Sequence, residues 1–251
     1  MFCNKIISRL QVFIYKYINN ARVNKLASKL FIANFLIILY TNNMQRERIK
    51  NIIIISLGLF FIFFGAFAID YAIWREKPEW AFWICYVAMV LIGFGALLRL
   101  PSLIASQVAI VFMPLAVWNI DFFYQIIFGQ KLWGLTDYFF GEMLPAARFI
   151  SLEHFFLIPL GLLLLFMIKL NQKTFWVISA IQMALLYGII RFFTRSTENV
   201  NCVFQSCGST IFNGPWPLNW LGLTVGMIAI ASIVIMTIPI FHHHSLNNGS
   251  K

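Results

Sequence analysis

Six runs of about twenty mostly apolar residues, at 51–69, 80–98, 103–120, 149–168, 174–193 and 218–241, leave this chain few ways to fold. At a rise of about 1.5 Å per residue, each run is long enough as a helix to cross a hydrocarbon core of about 30 Å. Lipid offers no partner to an unpaired peptide group, so a spanning segment must be a helix or part of a closed barrel. A barrel would show alternating segments of about 10 residues, which these runs do not. With 61% of its 251 residues hydrophobic and 11% charged, the chain is not an ordinary soluble protein. The expected fold is all-α, a polytopic transmembrane helical bundle of about six spans over residues 51–241. A basic, partly apolar leader precedes it at 1–50, and a short polar tail follows at 242–251. In the last run, "GLTVG" sets Gly222 and Gly226 four apart on one helix face, a spacing that suits close helix packing.

The leader is unlike the rest. Its first 29 residues, "MFCNKIISRLQVFIYKYINNARVNKLASK", carry six Lys/Arg and no acid, and a short apolar run follows at 30–40. That run is too short to span, and Tyr40, Thr41 and two asparagines stand where a signal peptide would place small cleavage-site residues. A cytoplasmic or interfacial basic helix fits it. "MQRERIK", beginning at Met44 just before the first span, reads as a second start, and a chain beginning there is expected to insert.

Lys and Arg mark the cytoplasmic side of membrane proteins. Nine of the nineteen lie before residue 51, which puts the amino terminus inside, and six spans return the carboxyl terminus inside too. The expected location is the inner (plasma) membrane. Under that orientation Glu47 is inside, and Asp70, Glu76, Glu79, Asp121, Asp137, Glu142, Glu153 and Glu198 fall in outward loops or at outward helix ends. The net charge of +10 then serves contact with anionic inner-leaflet lipids, at about 1 kcal/mol per surface Lys or Arg. Nucleic acid is not an expected partner, because no soluble basic domain exists to carry it. The sequence leaves the oligomeric state unknown.

Three polar motifs share the outward side: "WNIDFF" at 118–123, "SLEHFF" at 151–156 and "TENVN" at 197–201. Ionisable residues near membrane depth are costly and are therefore candidates for function. Asp121, His154 and Glu198 form the candidate catalytic set, with Glu153 beside them. Their side-chain types suit a carboxylate-rich metal site, or an imidazole oriented by a carboxylate for acid–base work. A divalent metal is thus one option for a cofactor. The bland alternative sets these groups at the headgroup level, solvated or paired with Arg148, Arg191 and Arg195. Cys202 and Cys207 lie in the same outward loop, where an oxidising compartment permits a disulfide and free thiols are equally open. Cys85, inside a span, reads as a small apolar side chain. "FHHH" at 241–244 reads as a polar stop after the last span.

H-E-x-x-H, G-x-S-x-G and G-x-x-x-x-G-K-[ST] are missing, so metalloprotease, serine hydrolase and nucleotide-driven pump lack their usual chemistry. "WNIDFF", "SLEHFFLIPL" and "TENVNCVF" together resemble a group of uncharacterised bacterial multi-pass integral membrane proteins with W-N-x-D-F, S-L-x-H and E-N-x-N-x-V-F motifs. The resemblance covers roughly residues 85–240 and brings no activity. It implies that Asn119, Asp121, His154, Glu198, Asn199 and Asn201 are the positions to test, and Trp118 opens the first motif. Trp118, Asn119, Glu153, Asn199 and Asn201 are the candidate binding residues. Three functions remain in view: an enzyme acting on a lipid or periplasmic small molecule in an outward polar pocket, a secondary carrier or proton/ion pathway, and a structural membrane subunit. Pro114 and Pro159, which interrupt the third and fourth spans, favour the pathway.

Overall fold

In the computed structural model, residues 25–170, 174–206, 215–238 and 241 are described, with side chains from Met44 onward. The protein is an all-α, polytopic helical bundle. Helix α1 runs Lys25–Trp74 without a break. A 3-10 turn, Pro78–Phe82, leads into α2, Ile84–Leu97, and then α3, Pro101–Phe128. Two short helices, α4 (Asp137–Phe140) and α5 (Pro145–Ser151), precede α6, Glu153–Ile168. Helix α7 is Phe175–Phe193, a 3-10 turn covers Val200–Cys202, and α8 is Trp216–Thr237.

Among the described residues, five segments are long and apolar enough to cross a membrane: Met44–Trp74, Pro101–Phe128, Pro145–Ile168, Phe175–Phe193 and Trp216–Thr237. The expected span at 80–98 is shorter than its apolar run. Pro78 starts a 3-10 turn that takes up residues 78–82, which leaves α2 with 14 residues, or about 21 Å of helix.

Close approaches show how residues 52–251 pack. A Cβ on Gly93 would stand 2.6 Å from the carbonyl oxygen of Gly58, and one on Gly65 would meet Val90 and Met89. Helix α2 therefore lies antiparallel against α1 with almost no gap. A Cβ on Gly161 would fall 2.7 Å from Val108, so α6 is seated as tightly on α3. Small residues let helix backbones meet, which is how apolar helices gain packing energy in lipid. The expectation for Gly222 and Gly226 is corrected: a Cβ at either would meet nothing within 4 Å. Spacing puts two glycines on one face but does not say whether that face meets a helix.

The core is built from Ile92, Ile104, Val108, Leu157, Leu164 and Phe175, all fully or almost fully buried. Two polar contacts cross between α3 and α7. Gln107 and Gln182 exchange amide hydrogen bonds of 2.6 and 2.9 Å, and Ser179 donates to the carbonyl of Ser106 at 3.1 Å. Helix α3 touches α2, α6, α7 and α8 and is the central post of the bundle.

Candidate functional site

The polar motifs gather at one end of the bundle, around the start of α2. Asn201 receives the Ile84 backbone N–H at 3.0 Å and donates to the carbonyl of Phe82 at 2.8 Å, which ties the 196–206 loop to the turn before α2. Trp216 and Trp220, at the start of α8, donate their indole N–H groups to the carbonyls of Cys202 and Asn201. Asn199 accepts from the backbone N–H groups of Phe204 and Gln205, both at 3.0 Å, and folds the loop on itself. Asn199, Asn201 and Cys202 all have positive φ, a backbone region that asparagine tolerates better than most side chains. Cys202 is disulfide-bonded, and Cys207 lies outside the described residues.

Glu198 holds the same turn from a second point. Its carboxylate accepts from Lys77 Nζ and, at 2.9 Å, from the Trp80 indole. The Lys77 bond is the main reason its carboxyl is held below the usual glutamate range, with Trp80 assisting. Arg195 makes a parallel link by donating Nε to Glu79, which it holds below that range too. Two ion pairs thus pin the loop to the turn at 77–80. A shallow surface depression on the loop's other side is bounded by Arg191, Ser196, Thr197, Phe204 and Gln205.

Asp121 is fully buried on α3. One oxygen accepts from the N–H of Trp133 at 2.7 Å and of Gly134 at 3.3 Å. The other accepts from the N–H of Thr136 at 2.9 Å and its hydroxyl at 2.8 Å. Both oxygens therefore serve the connection between α3 and α4. Asn119, two residues before, donates to the carbonyls of Leu115 at 2.7 Å and His154 at 2.8 Å, locking α3 to the first turn of α6.

The α5–α6 segment is interrupted at Leu152, immediately before Glu153. There His154 donates Nδ1–H to the carbonyl of Ser151 at 2.8 Å, the only role that pairing permits, so Nε2 keeps the lone pair. The imidazole stacks on Trp118, ring centres 4.3 Å apart, and Trp118 donates to the Tyr138 hydroxyl at 2.9 Å. Glu153 is fully buried, and neither of its carboxylate oxygens has a hydrogen-bond partner. Its Oε1 stands 3.9 Å from His154 Nδ1. Cys85, buried on the first turn of α2, completes a cluster: its Sγ, a Glu153 oxygen and a His154 ring nitrogen all lie within 4.8 Å of one another.

Among the sequence candidates, the structure brings together Trp118, Asn119, Glu153 and His154. Asp121 and Glu198 are each bonded to a different loop, and among the described residues no hydrogen bond or ion pair joins them to His154 or to each other. Asn201 connects the two regions, because it holds Ile84, the neighbour of Cys85. Sequence reasoning missed Cys85, since a single cysteine in an apolar run carries no spacing signal. The chain matches no known protein family, no curated protein and no solved structure.

Proposed function

We propose that the protein works in the inner membrane through the Cys85–Glu153–His154 cluster, as an enzyme on a lipid headgroup or small polar molecule that arrives from the side opposite the basic leader. One observation carries this reading: Glu153 is fully buried within a membrane-spanning segment and its oxygens have no hydrogen-bond partner. A carboxylate kept for structure is bonded, as Asp121 is. One left unpaired in a low-dielectric interior lowers stability, and persists where it serves a positively charged or proton-donating ligand. His154, oriented by Ser151 and Trp118, adds a lone pair beside it. In this reading Asp121 and Glu198 shape the loops around the site.

Replacing Glu153 with Gln keeps size and removes ionisation. With both proteins stripped of metal, Glu153→Gln in lipid nanodiscs is expected to melt at the same temperature as the parent or to gain about 1 kcal/mol, as substitutions at functional sites often do. A loss of several kcal/mol would make Glu153 a structural residue and sink the proposal. The orientation is checked by a reporter active only outside the cytoplasm, fused after Lys251, which should stay silent.

A second reading, a proton or ion pathway, has its own support. Pro114 lies inside α3 and Pro159 inside α6, each removing a backbone hydrogen bond from its helix, and the Gln107–Gln182 and Ser106–Ser179 contacts place polar groups elsewhere along α3. Proton flux across sealed liposomes that is lost in Glu153→Gln would favour it over an enzyme.

A further inference from the structure

Resting on the reading that Glu153 serves a ligand, we infer that Cys85, Glu153 and His154 bind a divalent transition metal of the zinc class, with one coordination position left for substrate or water. The argument begins with charge. Metal binding deprotonates a thiol, so Cys85 and Glu153 would supply two negative charges and His154 a neutral nitrogen. A divalent cation brings that set to zero net charge, the arrangement that a buried site in low dielectric tolerates best.

Donor type selects the metal. Thiolate and imidazole suit zinc and its neighbours, whereas magnesium and calcium take oxygen ligands. Three protein ligands of mixed S, N and O type, with a fourth position open, are the pattern of catalytic rather than structural zinc sites.

Geometry agrees. With metal–ligand bonds of about 2.0–2.3 Å, tetrahedral donors stand about 3.3–3.8 Å apart. Cys85 Sγ, a Glu153 oxygen and one His154 ring nitrogen lie within 4.8 Å of one another, and the imidazole meets Glu153 through Nδ1 at 3.9 Å, so the Cys85 and Glu153 side chains must rotate towards Nε2 to close the set. The elements holding them are fixed: Cys85 follows Ile84, which Asn201 caps, and the His154 carbonyl is held by Asn119. The Nδ1–H bond from His154 to the Ser151 carbonyl is the supporting contact that metal-binding histidines usually make, and it frees Nε2 for the metal. The polar neighbours of Glu153 are Cys85 and His154, the other two members of the set, so binding a metal takes it from no outside partner.

The test uses full-length protein in nanodiscs in which His242, His243 and His244 are changed to Ser, so that the tail histidines cannot contribute. Metal-free protein is titrated with Zn²⁺ and, separately, with Co²⁺. The expected result is about one metal per chain, with a cobalt spectrum that includes a near-ultraviolet sulfur-to-cobalt charge-transfer band. Cys85→Ser should abolish that band, and Cys85→Ser and Glu153→Gln should each weaken zinc binding by about 100-fold or more, beyond the loss typical of supporting contacts. Helix content and elution volume identify any variant that has failed to fold, and the parent's thermal shift with Zn²⁺ stands independently of the variants. No uptake by the parent, or uptake unchanged in both variants, overturns the metal site. If that happens while Glu153→Gln remains stable, the broader reading of Glu153 survives. If Glu153→Gln unfolds the protein and the parent binds no metal, both fail.

Discussion

Asp121 and Glu153 are both fully buried carboxylates on neighbouring helices at the same end of the bundle, yet one accepts four hydrogen bonds and the other none. The contrast separates a charge that holds the fold from one that the fold must hold. Around Asp121, three backbone N–H groups and a hydroxyl take the place of water, so its negative charge organises the connection from α3 to α4. Around Glu153 the protein sets the Cys85 thiol, a weak donor, and the His154 imidazole, and neither oxygen has a hydrogen-bond partner of the kind that Asp121 has. Stability alone accounts for a residue in the first environment; a residue in the second needs another reason to be there.

The largest effect that could break this contrast is expected at Asp121. Asp121→Ala strands the N–H groups of Trp133, Gly134 and Thr136, and a buried donor without an acceptor costs about 1–3 kcal/mol. Solvent reaches part of this loop, so the expected total is roughly 3–5 kcal/mol. Limited proteolysis between residues 129 and 144 should rise sharply. If Asp121→Ala melts like the parent, the bonds around it carry no weight and the comparison collapses.

Asp121→Asn sharpens it. Asparagine keeps one acceptor oxygen but sets an N–H₂ group against donors on the other side, so roughly half the bonds are lost, with an expected cost of about 1–2 kcal/mol. At Glu153 the same acid-to-amide change is expected to be harmless. A thermal melt that ranks the two amide variants in the opposite order would reverse the assignment of structural and functional acid.

The architecture was legible in the apolar runs, because a chain that must satisfy every peptide group in lipid has few choices. The environments were not. Asp121 and Glu153 both read as costly acids at helix ends, and only packing shows that the α3–α4 loop curls back onto one of them. Cys85 gave no signal because its partners lie on a helix more than sixty residues on. Gly222 and Gly226 drew attention by spacing, whereas Gly93 and Gly161, which have no partner four residues away, make the close contacts. Local pattern reports which residues share a face, and tertiary packing decides what that face meets.

The smallest expected effect concerns a third class of acid, largely covered but paired with an exposed cation. Glu79 with Arg195 and Glu198 with Lys77 hold the 196–206 loop to the turn before α2. Arg195 is 62% exposed and Lys77 38%, so solvent screens both pairs and neither contributes much. Both glutamates titrate below their ordinary range when folded, chiefly because Arg195 bonds Glu79 and Lys77 bonds Glu198. A depressed folded pKa means that the unfolded chain binds protons first as pH drops. The contribution is therefore complete above the unfolded value of about 4.3 and disappears as pH falls through the folded one. Glu198→Gln and Glu79→Gln should each loosen the loop slightly at pH 7, measured as faster amide exchange at 199–205. As pH is lowered towards about 3, the parent should approach the variants, so the gap between them closes. A gap that stays constant over that range would show that the ion pairs do not hold the loop, leaving Asn201 as its attachment to α2 and, through Ile84, to Cys85, and the indoles of Trp216 and Trp220 as its attachment to α8.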